Sequence, residues 1–287
     1  DFTWSTNINF STNKNRVLEL LDGQDILDTY NVTRVGEPIG AIYGYDYVGV
    51  NPAFGYPIYR KADGSLVQGN VDNNTYYPYD PANPGAALGP ASGPTPAGLV
   101  ARTTPLQANV DRKVLGNPNP TWFGGIDNNF TWKGFDLNIF ARFSGGNKIM
   151  NVSRQQLLRM DFVNNGTEIL DRWTPNNPNT DVPKVVFRNS DFINLNNFAV
   201  SRFVERGDFF RLQNITLGYT LPKNIGPLSN LSRVRVFGQV QNVFTLTNYT
   251  GLDPEVNSNT ETNRQFGIDF NSNPQQRVIT GGLNVAF

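Results

Sequence analysis

Residues 277–287 alternate so cleanly that they restrict the fold more than any other stretch. Ile279, Leu283, Val285 and Phe287 fall on one side of an extended strand, and Val278, Thr280, Gly282, Asn284 and Ala286 on the other. Strand side chains point to opposite faces with a period of two, so this run has one apolar face and one mixed face. It closes on an aromatic residue with no polar tail. That arrangement predicts a membrane β-strand whose last ring sits at the bilayer boundary.

The same period recurs upstream. In residues 1–13, Phe2, Trp4, Ile8 and Phe10 share a face. Residues 34–50 place Ile39, Ala41, Tyr43, Tyr45 and Tyr47 together. Residues 121–143 read as a hairpin turning at Lys133-Gly134, with Trp132 and Phe135 flanking the turn as an interfacial aromatic pair would. Residues 203–221 form a long strand whose first half breaks phase at Phe209, Phe210 and Leu212, which suggests a bulge. Residues 232–246 complete a set of about seven strands. Helix-like patches are expected at 17–21, 152–162 and around 170–175, and a short strand at 266–270.

The connections are unequal. Those at about 51–119, 145–195 and 247–276 are long; those at 133–134 and 222–231 are short, and the one between the first two strands is intermediate. Membrane barrels have short periplasmic turns and long extracellular loops. This pattern predicts long loops outside and the C-terminus on the periplasmic side. The segment 51–119 is crowded with Pro, Gly, Asn and Tyr, and the bland expectation for it is a floppy insertion.

Composition removes several function classes. No run of about 18 apolar residues exists, so no helix is expected to span a membrane. Twenty-four basic residues balance 24 acidic ones, which argues against nucleic acid as a partner. Without Cys or His, thiolate chemistry, most triads and most zinc sites are gone. No EF-hand spacing is present, and no cofactor and no enzymatic activity are expected. The chain opens at Asp1 in what reads as mid-strand, which predicts a piece of a longer secreted protein. About seven strands cannot close a large barrel, so the remainder must come from further polypeptide.

Asp136, Asn138, Arg142, Arg233, Arg235, Gln239 and Gln241 are the candidate lumen-facing residues, with Arg211 beside them. They could meet substrate. The plainer reading is a polar wall whose arginines pair with Asp136 and its neighbours. Tyr76, Tyr77 and Tyr79 could stack on sugar rings in a loop; the plainer reading is that such rings pack the loop or sit at the membrane interface.

Five segments resemble signatures of the SusC/RagA-like TonB-dependent outer-membrane transporters. They are Leu115-Gly116-Asn117-Pro118-Asn119-Pro120-Thr121-Trp122-Phe123-Gly124-Gly125, Trp132-Lys133-Gly134-Phe135-Asp136-Leu137, Asp171-Arg172-Trp173-Thr174-Pro175-Asn176-Asn177-Pro178, Phe209 through Tyr219, and Gln241 through Glu255. They cover nearly the whole chain in order. The resemblance implies the C-terminal portion of an all-β transmembrane barrel of about 22 strands, with Val285 and Phe287 as its terminal assembly signal. It implies import of oligosaccharides or peptides, energised through TonB, with a SusD-like surface lipoprotein as partner, in the outer membrane of a Gram-negative bacterium. The plug and the segment that contacts TonB lie outside this sequence. A secreted, soluble β-rich glycan-binding module is the alternative.

Overall fold

Lys133 and Gly134 reverse the chain between its two best-patterned strands. Their φ angles are 46° and 89°, both positive, as a type I′ hairpin turn requires. The computed structural model describes residues 2–161, 164–222, 231–259 and 261–287.

Six long strands build an antiparallel wall: β1 (Phe2–Thr12), β2 (Trp122–Trp132), β3 (Phe135–Gly145), β4 (Phe209–Thr220), β5 (Arg233–Thr247) and β6 (Val278–Ala286). Each pairs only with its neighbours in chain order, so the wall is a meander with open edges at β1 and β6. The register settles the faces. Trp4 lies opposite Phe130, which lies opposite Leu137, then Leu217; Val240 lies opposite Ile279. All of these side chains emerge on one face. That face is bare: Ile8 is 68% exposed, Leu246 62% and Ile279 77%. Asn128 and Thr6 are polar exceptions there, and the Trp4 indole N–H (3.2 Å) and the Thr6 hydroxyl (2.7 Å) donate to the Asn128 side-chain oxygen.

The suspected bulge is real. The register of β4 slips at Gln213 against both β3 and β5, and Asn242 opposite it has a φ of 52°. One extra residue on β4 returns Phe210 and Leu212 to the apolar face, which is why simple alternation fails there. The Gln213 amide donates to the Asn242 side-chain oxygen at 2.8 Å, tying the two irregular strands together.

Among the described residues the wall has six strands rather than the seven expected. Residues 34–50 do contain a strand, Ala41–Val50, but it belongs to a second sheet. Its residues 41–45 are all buried, so neither face is free for lipid or water. The first connection therefore runs from 13 to 121. Long connections (13–121, 146–208 and 248–277) then alternate strictly with short ones (133–134 and 221–232). Most of the compact turn expected at 222–231 lies outside the described residues.

The long connections form an ordered cap rather than a floppy insertion. Ala41–Val50 pairs with Asn31–Thr33, Pro57–Arg60 and Lys113–Gly116 from the first connection, and in parallel with Ala199–Val200 from the second. A Cβ at Gly44 would overlap the Ala199 carbonyl oxygen, so this crossing needs glycine. The third connection joins through Ile268–Asp269, parallel to Met150–Asn151. Tyr45, Tyr59, Met150, Val200, Phe203 and Ile268 share one buried core drawn from all three connections.

Local expectations fare unevenly. Of the patch expected at 17–21, residues 17–20 are not helical; a 3₁₀ turn covers Leu21–Gly23, with Leu18 and Leu21 exposed and nothing to bury an apolar stripe. The helix expected over 152–162 is short, Val152–Gln156, capped by the Asn151 side chain accepting from the Arg154 amide at 2.9 Å; Phe162 lies outside the described residues. A 3₁₀ turn spans Thr167–Asp171, and the expected late strand is Ile268–Asp269.

Candidate functional site

The second face of the wall carries the chain's polar chemistry. Alternation puts Asp127 and Asn129 of β2, Asn138 of β3, Asn214 of β4 and Gln239 of β5 on it. Their side chains form a ladder across four strands. Asn138 donates to Asp127 (2.6 Å) and Asn129 (2.9 Å); Asn214 donates to Asn138 (3.2 Å), and Gln239 to Asn214 (2.6 Å). Amides suit this role because each both donates and accepts, so a chain of them can run on without a net charge. Gln241 lines the same recess as Asn138 and Gln239.

Nearer the short turns, the Arg235 guanidinium makes a two-pronged contact with the Asp136 carboxylate, its Nε donating at 2.8 Å. The two residues lie on β5 and β3, with β4 between them. Gly218 on β4 makes the reach possible: any Cβ there would overlap the guanidinium. Arg233 is exposed at the start of β5. The plainer expectation of arginine paired with Asp136 describes Arg235.

Arg142 finds a different partner. At the long-connection end of the wall, Arg142 and Arg211 sit on adjacent strands, opposite each other in the register. Two carboxylates descend to them from the third connection. Arg211 donates to Asp253 at 2.6 Å and lies 2.9 Å from Glu255, and Arg142 contacts Glu255. Arg211 is 2% exposed. A buried arginine is tolerable only when paired this closely. The cluster therefore fixes the cap to the wall. No spacing rule in the sequence points to Asp253 or Glu255; Asp127 and Asn129, by contrast, follow from the period of β2.

The three tyrosines separate. Tyr77 is fully buried and its hydroxyl donates to the Gly89 carbonyl at 2.8 Å. Tyr76 is buried against Phe192, ring centroids 4.9 Å apart. Both are core residues of the cap sheet, so neither presents a ring for stacking; Tyr79 is half-buried. The correction has a simple cause. Adjacent tyrosines on a strand point to opposite faces, and this strand is covered on both. At the chain's end, Val285 pairs with Val234 on the apolar face and Phe287, just past β6, is exposed.

A larger cleft opens within the cap, between the second and third connections. Arg154 on its wall makes a bidentate pair with Glu168 at 2.8 and 2.9 Å, and Arg202 adds a third bond to Glu168 at 2.8 Å. Burial opposes the charge on Glu168, but the two guanidiniums outweigh it and hold the carboxyl below its usual range. Burial, reinforced by the Asp269 carboxylate that its hydroxyl donates to, pushes the Tyr249 phenol well up. Among the described residues, no cluster of acidic side chains could hold a metal ion.

No protein-family model matches the chain. Whole proteins do. The chain aligns along its full length with TonB-dependent receptor P3 of Formosa agariphila at 33% identity, and with receptor P39 of the same organism at 30%. TonB-dependent receptor SusC of Bacteroides thetaiotaomicron aligns at 26%. The chain spans 27%, 28% and 25% of these proteins, about a quarter of their length. Among solved structures, the RagAB peptide transporter superposes with a TM-score of 0.72 at 21% identity, over all of this chain and 27% of that one. The RagAB peptide importer in its open-open state gives 0.63 at 20%, again over all of this chain and 27% of that one. This likeness establishes the fold as a section of transmembrane antiparallel barrel wall, unclosed within the chain. Sequence and fold agree: the chain belongs to the SusC/RagA-like family of TonB-dependent receptors.

Proposed function

We propose that this chain is part of an outer-membrane importer, energised through TonB, that takes up oligosaccharides or peptides together with a SusD-like surface lipoprotein. One observation carries the reading. A six-stranded wall leaves one face bare and apolar and lines the other with an amide and ion-pair network. A lipid bilayer outside and water inside suit both faces at once. The open edges at β1 and β6 require further strands, because unpaired backbone groups in hydrocarbon cost several kcal/mol each. In this reading the apolar face meets lipid, the polar face lines the lumen, and Asp136, Asn138, Arg142, Arg235, Gln239 and Gln241 belong to that lining. The cap then stands over the extracellular mouth, the short turns and Phe287 lie on the periplasmic side, and the lipoprotein covers the cap.

Three measurements test this on the intact receptor in its own cells. Membrane fractionation should place it in the outer membrane; recovery in the soluble secreted fraction would favour the glycan-binding module instead. Uptake of its nutrient should stop when the proton gradient is collapsed, and continued uptake would remove TonB from the account. Affinity purification should bring down a lipoprotein, and its absence would remove the lid.

A further inference from the structure

The cleft within the cap has a chemistry of its own. Its volume is about 930 Å³, within the range of small-molecule sites. Three apolar side chains on its lining are solvent-exposed: Leu157, Leu252 and Phe270. Around them stand the exposed amides of Asn164, Asn271 and Asn273. These three side chains make no hydrogen bond to another described residue, so each offers a free donor and a free acceptor. The charged groups of the lining are all engaged. Arg154 and Glu168 hold each other, and the Asp269 carboxylate accepts the Tyr249 hydroxyl at 2.6 Å.

The geometry points to this cleft as the binding site for an uncharged, hydroxyl-rich oligomer, a neutral oligosaccharide by class. The inference rests on the import reading and narrows it. A sugar ring has one apolar C–H face and a rim of hydroxyls. Phe270 suits the face, and free amides suit the rim. A peptide with free termini, or a uronate or sulfated glycan, brings charges that need fixed counter-charges. Arg154 and Glu168 would have to leave their partners to supply one, at the cost of breaking a partly buried pair, and the Asp269 carboxylate is buried, only 3% exposed.

Binding to the intact receptor in detergent decides the matter. The immobilised receptor is offered three pools: neutral hexasaccharides, carboxylated and sulfated hexasaccharides, and mixed hexapeptides with free termini. Bound species are identified by mass. Neutral hexasaccharides should be retained. Phe270→Ala should weaken their retention roughly five- to tenfold, the worth of one aromatic contact, and Phe270→Trp should restore it. Asn271→Ala and Asn273→Ala should each weaken it less, with thermal midpoints unchanged as the folding control. Retention of peptides or anionic glycans in place of neutral sugars overturns the proposal. So does retention of nothing, or neutral-sugar binding indifferent to Phe270. Gradient-dependent uptake of peptides would leave the importer standing and this site refuted, whereas gradient-independent uptake would strike the importer itself.

Discussion

The wall and the cap are both β-sheet, yet they are built for different surroundings. The wall's edge strands bury neither face within the chain: β1 is exposed along its whole length, and β6 along all but one residue. Cap strands bury both faces, as residues 41–45 and the Tyr76-Tyr77 pair show. A wall strand must alternate, because hydrocarbon selects one face and water the other. A cap strand has protein on both sides and need not alternate at all. Alternation is thus required of a wall strand and merely permitted in a cap strand, as residues 41–47 show.

The joint between the two regions should be the most sensitive place. Replacing Arg211 with Met leaves Asp253 and Glu255 buried without their main partner, and should cost about 3–5 kcal/mol, read as a lower denaturant midpoint of the intact receptor. A change under 1 kcal/mol would mean the cap is not anchored there. Next, Ile139→Arg puts a charge on the apolar face near mid-strand and should cost about 2–4 kcal/mol. Thr216→Arg, on the polar face, should cost far less; equal penalties would mean the two faces do not differ.

Smaller effects sharpen the contrast. Gly218→Ala should push the Arg235 guanidinium off Asp136, at about 1 kcal/mol, detectable in a double-mutant cycle with Asp136→Asn. Tyr77→Phe deletes a buried hydrogen bond within the cap and should also cost about 1 kcal/mol, whereas Tyr79→Phe should be nearly silent. Last, the depressed Glu168 carboxyl gives the cap a mild acid sensitivity. Its folded-state pKa lies below its unfolded one, so its contribution is complete above about pH 4.3 and fades as pH falls through the lowered value. Glu168→Gln should flatten that dependence in hydrogen exchange of the cap, with an effect below about 1 kcal/mol because the pair is partly exposed.

How much of this was legible follows the same division. The faces of β1, β2, β3 and β6 can be read residue by residue, since a period of two needs no partner to be seen. The bulge announced itself as a phase error between Leu212 and Ile215. Residues 34–50 misled because five aromatic and aliphatic residues at even spacing look alike whether lipid or protein covers them. The polar residues were placeable, but their partners were not. Arg235 reaches Asp136 only because Gly218 lies between them in the register, and Arg142 meets a glutamate 113 positions away in sequence, with no local pattern to mark it.

One core unites the three long connections: Tyr45, Met150 and Ile268 come from different segments and are buried together. Displacing any one of them strips packing from the other two. The three segments therefore behave as one packed body, and a force applied to any of them is shared by the other two.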